Sequence, residues 1–243
     1  MKNVIFISVL MGLGVLLWQG CCKESNSTQT TDKITFRYNG KDETYGIVKR
    51  VYTKSAFDNS VLDTPIVRYW MDRNLGADRV PTSIMDSLGM GHLFQYGRGA
   101  DGHQVINSET TLKRSETFIP GHNKFVADVM WHEYYLRPDK NWLYNSGPYN
   151  PCPSGWHVAN STDIKMEMNT WTEKTAVGAF NSELKIPRSL IRYGIMGDLS
   201  FLRLYSSLWL GDNRGFFMDS TRFTFSTYYS SGAGMCVRCV KGE

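Results

Sequence analysis

Three cysteines constrain this chain more than any other feature: Cys152, set between two prolines in NPCPSGWHV, and the pair Cys236 and Cys239 in the closing GMCVRCVKG. Prolines fix the backbone on both sides of Cys152 and hold its thiol in place. In a strand, successive side chains point to opposite faces. Met235, Val237 and Cys239 then share one face, and Cys236 and Arg238 the other. Taking the apolar face as the inward one buries Cys239 and leaves Cys236 outside, beside an arginine. The expectation is therefore a Cys152–Cys239 disulfide that ties the last strand back to the middle of the chain. Closing a loop of that length contributes at most about 4–5 kcal/mol in the chain-entropy model.

Such a bridge needs an oxidising compartment, and the N-terminus points to export. Lys2 precedes an apolar run from Val4 to Trp18, followed by Gly20-Cys21-Cys22. That run is short for a bilayer span, which takes about 20 residues. A basic end, a short apolar core and a small residue read as a secretory signal. Cys21 directly behind Gly20 resembles a bacterial lipoprotein signal, in which cleavage leaves the cysteine as the lipidated first residue. Trp18 and Gln19 depart from the small and aliphatic residues usual there, and Cys22 is the alternative acceptor. The other readings are an ordinary cleaved signal and an uncleaved anchor. Residues 1–20 are thus expected to be a lipoprotein signal peptide, with Cys21 as the lipidation site. Residues 21–32, polar and without aromatics, form a flexible tether whose mean span is about 20 Å. The expected location is the outer membrane or cell surface of a Gram-negative bacterium, anchored through the N-terminal lipid.

No repeat, low-complexity tract or second linker follows residue 33, so residues 33–243 read as a single domain. Two β-rich runs flank Asn39-Gly40, the strongest short hairpin signal. PIVRYWM, HLFQYG, SLWLG, GFFM, RFTFSTYY and MCVRCV read as further strands. Aromatics at 13% suit a loop-rich β protein. Long Gly-, Asn-, Asp-, Ser- and Pro-rich stretches lie between the strands, above all at 99–124 and 137–155. Ser161-Thr162-Asp163 marks a helix start with Thr162 as its cap. A second short helix is expected around PTSIMDSLG, ended by Gly89. The expected class is α+β, with short antiparallel strands, few helices and long ordered loops.

WMDRNLGA (Trp70 to Ala77), FQYGRGADGHQ (Phe94 to Gln104), NPCPSGWHV and the closing VRCV resemble, in order and spacing, the Fibrobacter succinogenes major paralogous domain, or FISUMP family. Together they span nearly all of residues 66–241. The resemblance implies an exported protein or lipoprotein and a C-type lectin-like fold, in which the chain ends meet in one sheet and long loops rise from one side. It implies no particular activity. Two places depart from the family pattern: His157-Val158-Ala159-Asn160, where the family continues Arg-Val-Pro-Thr, and Leu208-Trp209-Leu210-Gly211, where it tends to Tyr-Trp-Ser-Ser.

Residue chemistry points away from catalysis. CVRC has the spacing of thiol oxidoreductases, but those motifs sit at a helix N-terminus, where the dipole lowers the thiol pKa. Val237 and Val240 argue for a strand here. His92, His103, His122, His132 and His157 form no HExxH pattern, and no Cys/His set has zinc-finger spacing. His103 reads as a hydrogen-bonding residue of a turn. GRGADG opens no convincing helix and is not a dinucleotide fingerprint. No metal or cofactor is expected, and no catalytic residue stands out. The net charge of +4 comes from scattered Lys and Arg, with no basic stretch to track a phosphate backbone, so nucleic acid is excluded as a partner.

The richest candidate for recognition is the loop MWHEYYLRPDKNWLYN, where Trp131, Tyr135, Trp142 and Tyr144 offer rings among polar groups. Asp212 and Asn213 in GDN could add oxygen ligands, with a turn as the plainer reading. The expected function is a non-catalytic cell-envelope lipoprotein domain that binds a glycan or a protein at the surface, as an adhesin or a pilus-associated subunit does. The competing readings are a glycan-processing or thiol-oxidising envelope enzyme and a purely structural envelope component.

Overall fold

The computed structural model describes residues 32–133, 142, 149–200, 205–226 and 230–242. Residues 1–31, which hold the expected signal, Cys21 and nearly all of the tether, lie outside the described residues. The chain runs through β1 (Lys33–Tyr38), β2 (Lys41–Lys54), β3 (Val61–Met71), β4 (Phe94–Gln95), β5 (Thr110–Thr111), β6 (Phe125–Val126) and β7 (His157–Val158). Then follow α1 (Ser161–Met168), α2 (Ala176–Asn181), β8 (Ser206–Leu210), β9 (Arg214–Met218), β10 (Phe223–Ser226), β11 (Gly234–Met235) and β12 (Cys239–Gly242).

Asn39 and Gly40 both take positive φ, 48° and 84°, the turn that lets β1 fold straight back onto β2. The long strands β2 and β3 pair next, and β12 slots between β3 and β7, giving an antiparallel sheet in the order β1-β2-β3-β12-β7. The end of the chain is thus an interior strand, opposite Trp70 on one side and His157 on the other. A second antiparallel sheet has the order β10-β9-β8, and the short pairs β11-β4 and β5-β6 pin the loops. Cys152 and Cys239 are disulfide-bonded, with their Cα atoms 5.7 Å apart.

Alternation along these strands sorts side chains into two apolar layers. Trp70, Leu208, Leu210, Phe216, Cys236 and Val240 face one cluster, together with Ile164 and Met168 of α1 and Ala176 and Ala179 of α2. Met71, Val158, Trp209, Met235, Val237 and Cys239 face the other, which contains no helix residue and is covered by loops. Two carboxylates clamp α1 to the sheet. Glu167, wholly buried, accepts from Arg50 Nε (2.9 Å), Tyr52 OH (2.7 Å) and Trp171 Nε1 (3.1 Å). Asp163 accepts from Arg68 Nε at 2.9 Å and also closes the capping box.

Four expectations need correction. The fold class is mainly β rather than α+β: among the described residues strand makes up 34% and helix 7%, in two short helices. Segment 81–89 forms turns and not a helix, because Asp86 draws the local donors to itself. It accepts from the backbone N–H groups of Thr82 (2.9 Å) and Leu88 (3.1 Å), as Asp does in turns. The cap of α1 is Asn160, whose side chain accepts from Thr162 N and Asp163 N, so Thr162 already lies inside the helix. Cys236 and Arg238 do share a face, but that face is buried as completely as its opposite. The Cys236 thiol donates to Met90 O at 3.1 Å. Arg238 donates to Asn74 Oδ1 and to the Met71 and Leu184 carbonyls at 2.9–3.0 Å, and burial pulls its guanidinium down to about 10.

Candidate functional site

The aromatic loop does not present the rings expected of it. Trp131 and Trp142 are fully buried, at 0% exposure. Trp131 packs on Phe118 and His132 and donates its Nε1–H to Tyr96 O at 2.7 Å. Trp142 packs edge-on against Phe94 and Tyr96 and donates to Tyr149 O at 3.0 Å. Tyr135 and Tyr144 lie outside the described residues. Asp212 binds the start of α1, accepting from Ser161 N and from Ser161 Oγ. Asn213 takes φ 60° in the β8–β9 turn. Both are thus at work in turn and cap geometry. No group of three or more His, Cys, Asp or Glu side chains able to hold a metal occurs among the described residues. No helix among them is long and apolar enough to cross a membrane.

The quoted motifs turn out to be devices for holding loops. Long irregular segments carry backbone groups that no ladder satisfies, and buried polar side chains supply the partners. Gln95 Nε2 donates to Val126 O and Gly232 O at 2.9 and 2.8 Å. Arg98 donates to Lys124 O, His122 O and Asp101 Oδ2 at 2.7–3.0 Å. His103 Nε2 accepts the Gln95 N–H at 3.0 Å, so the ring proton sits on Nδ1 and is donated to Asp101 Oδ1 at 2.7 Å. Burial, and then the Arg98 charge, push His103 down to about 4, and it stays neutral.

The feature that stands apart is an open apolar groove of about 460 Å³ beside this loop system, lined chiefly by Val129, Tyr193, Ile195, Met196 and Ala233, with Asp198 and Ser230 as its polar side chains. Ile195 and Met196 are 66% and 71% exposed at the tip of a turn between Gly194 and Gly197. The turn cannot fold them inward, because its base is fixed. Tyr193 N donates to Asp198 O (2.7 Å) and Gly197 N to Tyr193 O (2.8 Å). Arg192 stacks over Phe125 at 4.2 Å and donates to Gly197 O, Ser108 O and Ser108 Oγ at 2.7–2.8 Å. Backbones crowd so closely behind it that a Cβ on Gly232 would lie 1.9 Å from Asp128 O. Exposed apolar residues on a rigid support commonly mark an interaction surface. The signal was present in IRYGIMGD, where two apolar residues sit between turn glycines, but nothing in the sequence placed Val129 and Ala233 beside them.

Compared with known proteins, the chain matches no family model, no curated protein and no solved structure.

Proposed function

We propose that this protein is a non-catalytic, lipid-anchored component of the bacterial cell envelope, and that its domain binds a protein at the surface, as an adhesin or a pilus-associated subunit does. The groove between Val129 and the 193–198 turn is the contact site. The observation that carries this reading is the rigid presentation of Ile195 and Met196 to solvent. The mostly apolar lining supports a partner's hydrophobic side chains over a sugar at this groove. The Gly20-Cys21 junction supports the lipid anchor, and the four FISUMP-like motifs support export. A triacylated Cys21 would supply the more than one acyl chain that stable anchoring needs.

Two substitutions test the two halves of the proposal. Cys21→Ser should release the protein from membranes and abolish palmitate labelling; unchanged membrane association without labelling overturns the anchor. Ile195→Asp together with Met196→Asp should remove partner cross-linking in intact envelopes, each residue contributing about 1–2 kcal/mol to binding, with thermal stability unchanged. A cross-linked partner that persists in the double variant overturns the groove. Turnover of a polysaccharide or thiol substrate by the protein, lost on changing one Asp, Glu or Cys, overturns the non-catalytic reading.

A further inference from the structure

A second cleft, which shares no residue with the groove, lies where the β2–β3 loop meets the end of α1 and β10. Its volume is about 400 Å³, and its walls are Phe57, Phe223, Phe225 and Met168, with Lys165 and Lys174 contributing ammonium groups. Phe57 is 82% exposed, yet its loop is fixed. Ser55 N donates to Ser60 O (2.8 Å), Asp58 accepts from Ser60 N and Oγ (3.1 and 2.8 Å), and Asn169 Nδ2 donates to Ser55 O (3.0 Å). The fold therefore holds a large apolar ring in water at a set place, where covering it with a ligand is favourable.

Lys165 bridges the two walls. Its Nζ lies 5.9 Å from the Phe57 ring centre and 5.5 Å from that of Phe225. Lys174 Nζ reaches only the neutral amide oxygen of Asn169, at 3.1 Å. Neither ammonium has a carboxylate partner among the described residues. Asp58 is the one acidic residue of the lining, and its Oδ1 is already taken up by Ser60. The lining thus carries two ammonium groups against one carboxylate, a net charge of +1, beside aromatic walls.

We infer that this cleft binds an acidic sugar, a pyranose bearing a carboxylate or a sulfate. Aromatic rings take the C–H face of a sugar, the ammonium groups take its anionic substituent, and Asn59 at the rim can hydrogen-bond its hydroxyls. Size separates this from a folded acidic peptide. One turn of helix, with a diameter of 10–12 Å and a rise of 5.4 Å, fills roughly 400–600 Å³, the whole cleft, whereas pockets of about 300–1,000 Å³ suit small ligands.

The test is calorimetry on the full-length chain in detergent, with four probes: a uronate disaccharide, a sulfated disaccharide, a neutral disaccharide and an oligoglutamate peptide. One or both anionic sugars should bind at least about tenfold tighter than the neutral sugar, and raising the salt should weaken them. Which of the two binds identifies the anionic group. Phe57→Ser and Lys165→Gln should each weaken binding about tenfold, and Lys165→Arg should restore most of it. Because Phe57 is so exposed, its replacement leaves the fold intact and separates lost binding from unfolding. The inference is overturned by absence of binding, by equal binding of neutral and anionic sugars, by tighter binding of the peptide, or by binding that neither substitution weakens. The Ile195 and Met196 variants should leave this binding unchanged, so its failure and that of the groove are read separately.

Discussion

The two faces of the central sheet are built from the same strands but closed in different ways. Over Trp70 and Val240 lie two helices, whose backbones satisfy themselves and whose apolar residues complete the cluster. Over Met71 and Cys239 lie loops, and there the ordering comes from a cross-link and from aromatic residues with a polar handle. Trp131, Trp142 and Trp209 each aim Nε1–H, and Tyr96 its hydroxyl, at a loop carbonyl at 2.7–3.1 Å. A face without regular elements must fill its volume and satisfy its loop backbones with the same side chains, and Tyr and Trp do both. This accounts for the chain's aromatic richness better than ligand stacking does. It also explains why Gln95, Arg98 and His103 are buried on the loop side.

The sharpest way to break this contrast is to remove the cross-link. Replacing both Cys152 and Cys239 by Ala should cost about 4 kcal/mol in denaturant unfolding. A loss under about 1 kcal/mol would mean that aromatic packing alone holds the loop face. On the helix face, Glu167→Ala leaves Arg50 Nε, Tyr52 OH and Trp171 Nε1 without their shared acceptor, while Arg50 keeps Glu183 and Thr170, and should cost about 3 kcal/mol. Glu167→Gln, which retains an acceptor oxygen, should cost less. Equal losses for the two variants would show that the carboxylate charge matters more than the bonds.

The third prediction is of acid sensitivity on the loop face, centred on His103. His103 has a folded pKa of about 4, against about 6.5 when unfolded. Between those values the unfolded chain binds more protons. The stabilising effect of keeping His103 neutral is therefore complete above about pH 6.5 and is lost as pH falls toward 4, by about 3 kcal/mol. Asp101, held at about 2 chiefly by its hydrogen bond from His103 against the opposing effect of burial, adds a further loss below about pH 4. Stability measured from pH 7 to 4 should fall more steeply in the wild type than in His103→Gln. Parallel curves would remove His103 from the account.

Local features were legible from the residues. Asn39-Gly40 makes its own turn, because only residues tolerant of positive φ fit there. The alternation of Met235 to Val240 assigns each side chain to a face without reference to anything distant. The Cys152–Cys239 bridge expected on that basis is the one formed, although Cys236 is as buried as Cys239 and alternation by itself does not choose between them. The helix expected at 81–89 shows where local reading fails. Pro81, Thr82, Ser83 and Gly89 look like helix punctuation, but Asp86 offers the backbone competing hydrogen bonds, and a turn results.

The sequence by itself determined which residues share a face and where the first hairpin turns. Each of these depends on backbone geometry over a few neighbouring residues. Only the tertiary structure decided that both faces of the closing strand are covered, so that Cys236 and Arg238 lie in the interior rather than outside. Alternation counts faces but cannot say what lies against them. The same holds for the two clefts. Phe57, Lys165 and Phe225 come together where the β2–β3 loop, α1 and β10 meet, and Val129, Ile195 and Ala233 where three separate loops pack side by side. Their chemistry arises from contacts between segments far apart in the chain, which no local pattern encodes.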